Sequence, residues 1–120
     1  MAWNFNSREP VFLQIANRLR CDILNGKYKP DEQIPAVRQL AFEASVNPNT
    51  MQKSLSFLED EGLLYSKGTI GRFVTSDGEI LKEAREKMKK SCMDDLIARA
   101  KESGISKDEL INYIRKADNI

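Results

Sequence analysis

Residues 46–62 constrain the fold more than any other stretch of the chain, because they carry a helix start, a helix stop and one apolar seam between them. Asn47 is a residue type whose side chain accepts from the first unpaired N–H groups of a helix. Pro48 suits the first helical position, where its fixed φ fits and its missing N–H would have had no intrahelical partner. Gly62 supplies the stop. Met51, Leu55 and Leu58 follow i, i+4, i+7 spacing, so at about 100° per residue Asn49, Gln52, Lys53 and Ser56 fall on or near the opposite side. Lys53 is the helix's one cation, whereas Glu59, Asp60 and Glu61 crowd the last turn, where the helix dipole disfavours them. Such a segment can serve as an ordinary amphipathic helix with a solvated face. It can also enter a major groove by its N-terminal end, its acidic end pointing away from phosphate.

The neighbouring segments favour the second use. Val11, Ile15, Leu19 and Ile23 recur every fourth residue between Pro10 and Gly26, which predicts an amphipathic first helix. Residues 29–35 hold two prolines and read as a turn or extended connector. Residues 36–44 form a shorter helix with Val37, Leu40, Ala41 and Ala44 toward a core and Arg38, Gln39 and Glu43 outward. Ser45 and Val46 then turn into the opening segment, which makes a helix-turn-helix. Two strand-like runs, residues 63–66 and 72–75, flank Lys67-Gly68-Thr69-Ile70-Gly71, whose glycines allow a tight hairpin. Residues 1–9, with Trp3 and Phe5, read as a short extended arm. The expected fold is mainly α with a small β-hairpin: a winged helix-turn-helix over 1–77 and a two-helix tail over 78–120.

In the tail, a long helix from 79 to about 103 places Ile80, Ala84, Met88, Cys92, Leu96 and Ala100 on one seam, flanked by Leu81, Met93 and Ile97. Residues 82–90 hold five cations and two acids. Gly104 ends this helix; Ser106 and Glu109 form a capping box, with Ile105 and Leu110 placed for a hydrophobic staple. Leu110, Ile111, Ile114 and Ala117 line the last helix. Two helices joined by so short a turn cannot cover all this apolar surface. A second subunit is expected against it, through Ile80, Leu81, Ala84, Met88, Leu96, Ile97, Leu110 and Ile114.

At 120 residues the chain supports a modest core and no large enzyme cleft. The formal charge is +1, with 9 basic and 9 acidic residues up to Gly78 and 10 and 9 after it. Net charge therefore lends nothing to nucleic-acid binding, and any basic footprint must come from local clustering. Cys21 and Cys92 have no CxxC spacing and the chain has no histidine, so neither a zinc site nor a Cys–His pair is expected. Both thiols are expected to be buried or half-buried, and no cofactor or metal is expected. No apolar run resembles a signal peptide or a membrane span, so a cytoplasmic protein without membrane contact is expected. Catalysis is not expected either: there is no activated nucleophile, and Lys67-Gly68-Thr69 is too little for a P-loop.

With these elements placed, the chain resembles the GntR family of bacterial transcription regulators, and its short tail is similar to that of the YtrA subfamily. The resemblance rests on Pro10-Val11-Phe12-Leu13-Gln14-Ile15, Gly26-Lys27-Tyr28-Lys29-Pro30, Ile34-Pro35-Ala36-Val37-Arg38-Gln39-Leu40-Ala41, Val46-Asn47-Pro48-Asn49-Thr50 and Glu61-Gly62-Leu63, in that order and spacing. It implies a homodimer binding a two-fold double-stranded DNA operator. Arg38 would reach DNA from the second helix. Asn47, Asn49, Thr50 and Gln52 would touch bases or phosphates, joined by Lys53 on the same face, and Lys67, Gly68 and Arg72 would form the wing. It also implies a repressor of a nearby operon, often of transporter genes. Three departures stand out. Ala36 replaces a common serine. Asp31 replaces a glycine, so that its turn is expected to lack an unhindered left-handed residue. Pro48 replaces the arginine of some branches. The tail is too short for a large effector domain, so any small-molecule inducer would bind at the dimer interface or between tail and winged helix, for instance in a groove lined by Met88 and Met93. The competing expectation is a winged helix used for protein interaction without duplex binding, motivated by the near-neutral charge and the acidic end of the helix.

Overall fold

The computed structural model describes residues 3–120; Met1 and Ala2, which begin the expected arm, lie outside the described residues. In chain order the elements are α1 (Val11–Leu24), α2 (Val37–Ala44), α3 (Pro48–Asp60), β1 (Leu64–Lys67), β2 (Gly71–Val74), α4 (Gly78–Glu102) and α5 (Lys107–Lys116). They form two compact units, one ending at Arg85 and the other spanning Glu86–Ile120, and α4 contributes to both.

In the first unit the predicted seams meet. Ile15, Leu19 and Ile23 of α1, Leu40, Ala41 and Ala44 of α2, and Met51, Leu55 and Leu58 of α3 are all buried, closed below by Leu63, Leu64 and Val74. Ser54 belongs to the same face and is fully buried; its hydroxyl lies 2.8 Å from the Phe12 carbonyl oxygen and 3.1 Å from that of Thr50, tying α3 to the first turn of α1. Residues 3–10, ahead of α1, do not form a strand. Gln14 holds them against α1, its amide nitrogen donating to the carbonyls of Asn6 (2.9 Å) and Glu9 (2.8 Å) and its oxygen accepting from Asn6 N–H (3.1 Å).

Helix ends explain how the elements are spaced. Asn47 caps α3 by accepting from the Asn49 N–H at 2.7 Å, with Pro48 at the first helical position. At the other end Gly62 adopts φ 81, donates to the Glu59 carbonyl at 2.9 Å, and lets Leu63 N–H reach the Leu58 carbonyl at 3.1 Å. Helix α2 closes in the same way, with Val46 N–H on the Ala41 carbonyl at 3.0 Å, but the left-handed position (φ 58) is filled by Ser45.

Strands β1 and β2 pair antiparallel with Leu64 opposite Val74 and Ser66 opposite Arg72. The connector before α2 joins them as a third edge: Asp31 N–H donates to the Val74 carbonyl (2.8 Å), Val74 N–H to that of Glu32 (2.9 Å) and Ile34 N–H to that of Arg72 (3.0 Å). Asp31 itself sits at φ 64, so the turn does use a left-handed residue, though a hindered one, as expected where glycine is missing. Aspartate tolerates that region better than most residues, and here the Tyr65 hydroxyl donates to its Oδ1 at 2.8 Å.

At the start of α4, within the first unit, Ile80 lies against the Gly62 turn and the Arg85 guanidinium donates to the Leu24 carbonyl at the end of α1. In the second unit the capping box forms as expected: Glu109 N–H reaches the Ser106 hydroxyl at 3.2 Å and Ser106 N–H the Glu109 carboxylate at 3.1 Å. Gly104 (φ 75) ends α4, with Ile105 N–H on the Ala100 carbonyl at 2.9 Å. The single seam expected along α4 is not continuous. Ile80, Ala84 and Met88 are half-buried, Cys92 and Leu96 exposed and Ala100 buried. A row repeating every four residues turns by about 40° per step in a helix of 3.6 residues per turn, so it winds round α4 instead of facing one side. For the same reason Cys92 is exposed, against expectation, while Cys21 is half-buried as expected.

Candidate nucleic-acid interface

Along α3 the side opposite the buried seam carries Asn49, Gln52 and Lys53, all exposed, with Thr50 half-buried beside them. Asn47, also exposed, uses its side-chain oxygen as the helix cap, which leaves its NH₂ group for other partners. Lys53 Nζ lies 4.0 Å above the Phe12 ring, which in turn packs edge-on against Phe57 at 6.2 Å, so the ammonium is steadied over α1. On α2, Arg38 is exposed. Ala36 occupies the N-cap of that helix without a side-chain hydrogen bond, as its replacement of serine implies.

Lys67 and Gly68 form the tip of the hairpin and are exposed, and Lys67 Nζ rests 4.9 Å from the Phe73 ring and 5.9 Å from Tyr65. The tip is braced by a residue that no periodicity marks in the sequence. Gln33 donates from Nε2 to the Ile70 carbonyl at 2.8 Å and lies so close beneath Gly71 (φ 136) that a Cβ there would come within 2.7 Å of it.

Arg72 is placed differently from the rest of the wing set. Its guanidinium turns back onto α3, with Nε on Glu59 Oε1 and Nη1 3.4 Å from Gln52 Oε1, and Glu59 Oε1 also accepts from the Ser66 hydroxyl at 2.8 Å. Partial burial acts to raise the Glu59 carboxyl pKa, but the hydrogen bonds from Arg72 and Ser66 and the guanidinium charge outweigh it and hold the group below the ordinary carboxylate value. Glu61 is engaged as well: Arg20 reaches its two oxygens from Nη2 at 2.8 and 3.0 Å, with Nε at 3.0 Å.

These pairings sort a near-neutral composition into local character. Arg20 and Arg72 are spent on the acidic end of α3, whereas Arg38, Lys53 and Lys67 have no ion pair among the described residues. Among the described residues, cations without an ion pair thus stand on α2, the first half of α3 and the hairpin tip, and α3 adds exposed amide side chains to that set. The residues assigned to dimerisation divide between the two units. Ile80, Leu81 and Ala84 are half-buried in the first, while in the second Met88 and Leu110 are half-buried and Leu96, Ile97 and Ile114 exposed.

Three helices, a turn of three residues between the second and third, and a braced hairpin define a winged helix-turn-helix regulator. The profile of the gntR family of bacterial regulatory proteins matches residues 12–74, and the chain belongs to that family. It is 30% identical over 111 residues to the HTH-type transcriptional regulator YhcF of Bacillus subtilis strain 168, a match covering 92% of each chain. It is likewise 30% identical over 111 residues to the HTH-type transcriptional repressor YtrA of the same organism, covering 92% of this chain and 85% of YtrA. Among solved structures, a GntR family transcriptional regulator from Listeria monocytogenes superposes with a TM-score of 0.82 at 25% identity, over 95% of this chain and 100% of that one. The DNA-binding domain of AraR, crystallised with operator ORX1, gives 0.57 at 28% identity, over 62% of this chain and 95% of that one. The chain is therefore a transcriptional regulator and not an enzyme. Among the described residues no helix is long and apolar enough to cross a membrane.

Proposed function

We propose that this regulator is a cytoplasmic homodimeric repressor that binds an inverted-repeat operator beside a nearby operon, with transporter genes as the favoured class of target. The observation that carries the proposal is the sorting of charge on α3: Glu59 and Glu61 at its acidic end are paired with Arg72 and Arg20, while its exposed front lies among cations without ion pairs. Arg38 supplies a contact from α2, Asn47 and Thr50 bond the backbone, Asn49 and Gln52 read base edges, and Lys53 with the Lys67–Gly68 tip grips phosphate or the minor groove. In support, a relative carries the name repressor and a similar domain was crystallised with its operator.

Dimerisation belongs to the same proposal. In the second unit Met93, Leu96, Ile97, Ile105 and Tyr113 are exposed between 42% and 77%, more apolar surface than a short helical pair keeps in water without a partner. With the functional division placed after residue 77, short of the end of the first unit at Arg85, residues 1–77 read DNA and 78–120 assemble the dimer. The rival use of the fold as a protein-docking module draws less support, because Glu59 and Glu61, two of the three acids at that end of α3, are paired with Arg72 and Arg20.

Footprinting of the full-length protein across the region upstream of its own gene tests the proposal. Protection of two inverted half-sites about one helical turn, or a multiple of it, apart is the expected result. Absence of any protected segment at protein concentrations that coat random duplex refutes it.

A further inference from the structure

Resting on the operator proposal, one contact in the structure goes further, because it fixes which way a reading side chain presents itself. A glutamine amide has an acceptor end and a donor end, and a glutamine free to use both is suited to adenine, which offers N6–H₂ and N7 side by side. In Gln52 the acceptor end is already engaged on one side. Its Oε1 faces Arg72 Nη1 at 3.4 Å, and a guanidinium carries donors only, so the reversed amide would set donor against donor.

Arg72 cannot simply swing away. Its side chain is only 15% exposed, its Nε is held by Glu59, and Glu59 is held in turn by Ser66, the cross-strand partner of Arg72 on the hairpin. Gln52 and Glu59 are seven residues apart on one helix face, so a single guanidinium spans from one to the other. The hairpin thus reaches the front of the recognition helix through a chain of side chains, Ser66 to Glu59 to Arg72 to Gln52.

We infer that Arg72, anchored by Glu59, is a positioning residue that locks the Gln52 amide with its NH₂ group outward and so sets the base preference of α3. An outward NH₂ needs acceptors, and guanine alone presents two adjacent ones, N7 and O6, in the major groove. Gln52 therefore reads guanine, and adenine, whose N6–H₂ would have to share Oε1 with the Arg72 guanidinium, is disfavoured. The preference is dictated from the wing without the wing touching that base pair.

The test is selection from a library of randomised duplexes by the full-length protein, followed by binding to single-base-pair variants of the duplex that the wild type selects. The wild type should enrich guanine at one position of each half-site, and Gln52→Ala should flatten that position alone. Arg72→Met, which keeps the stem but removes the donors, should lower the guanine-to-adenine ratio there on the order of tenfold and leave other positions unchanged. Arg72→Lys should fail to restore the ratio while keeping overall affinity, since an ammonium cannot span Glu59 and Gln52 together. Even weakening of Arg72→Met on every duplex, with guanine retained at the Gln52 position and affinity recovered by lysine, would mark a phosphate contact and overturn the inference. If Arg72→Met does not fold, Gln52→Glu serves instead: a carboxylate facing Arg72 has no donor, so guanine must be lost, and its retention is fatal. A wild type that enriches no sequence would refute operator recognition itself, an outcome distinct from enrichment that ignores Arg72.

Discussion

Ser54 offers the sharpest check on how α3 is held, because a small polar residue stands where the apolar seam would accept a larger one. It is 0% exposed, with its hydroxyl 2.8 Å from the Phe12 carbonyl oxygen in the first turn of α1. In Ser54→Ala the hydrogen bond is lost, worth about 1 kcal/mol, but no acceptor is orphaned, since the carbonyls of Phe12 and Thr50 keep their intrahelical N–H partners. Alanine also returns up to about 0.5 kcal/mol of helix propensity, so the net loss should be about 0.5 to 1 kcal/mol. Ser54→Val removes the same bond and adds carbon atoms between two packed helices, where overpacking costs typically 1 to 3 kcal/mol, for a total of about 2 to 4 kcal/mol. Urea denaturation at two or more protein concentrations separates these effects from dimer dissociation. A valine variant as stable as the wild type would refute the tight α1–α3 contact, and an alanine variant losing more than about 3 kcal/mol would contradict the claim that no polar group is left unpaired.

Four further outcomes follow from the same geometry. Ala36→Ser restores a side-chain cap at the start of α2 and should raise stability by about 0.5 to 1 kcal/mol in thermal melts, with no change in oligomeric state. Because Glu59 has a folded pKa below the ordinary 4.5, the stability it adds is present above that value and is lost as pH falls through the folded pKa; Glu59→Gln should flatten that part of the acid unfolding curve. Arg38→Ala should cost about 1 to 3 kcal/mol of operator binding and relax one position if the side chain reads a base, or weaken all sequences evenly if it holds phosphate, as competition with variant duplexes will show. Ile97→Asp places a charge on exposed apolar surface of the second unit and should shift sedimentation toward monomer without unfolding the winged helix.

What could be read from the sequence was local. Asn47, Pro48 and Gly62 mark the ends of α3 because capping depends on residues a few positions apart, and the Ser106–Glu109 box was legible for the same reason. The seams of α1, α2 and α3 follow from periodicity over short helices. Over 25 residues the same spacing failed, since a fourfold repeat drifts round α4. Tertiary pairings left no such mark. Arg72 read as a wing cation and became the clamp on Glu59, 13 residues away, while Arg20 found Glu61 across 41 residues. Gln33, Ser54 and the edge formed by Asp31–Ile34 likewise depend on which elements meet, which no local pattern specifies.

On the proposed function, this near-neutral chain grips specific duplex through locally sorted cations. The most direct test of this is the affinity of the full-length protein for its own upstream duplex and for a scrambled duplex of equal composition, measured against salt. Preference for the upstream duplex at every salt concentration is expected, with a log–log slope of about −0.9 for each phosphate neutralised. Equal affinity for both duplexes, or binding indifferent to salt, would contradict it.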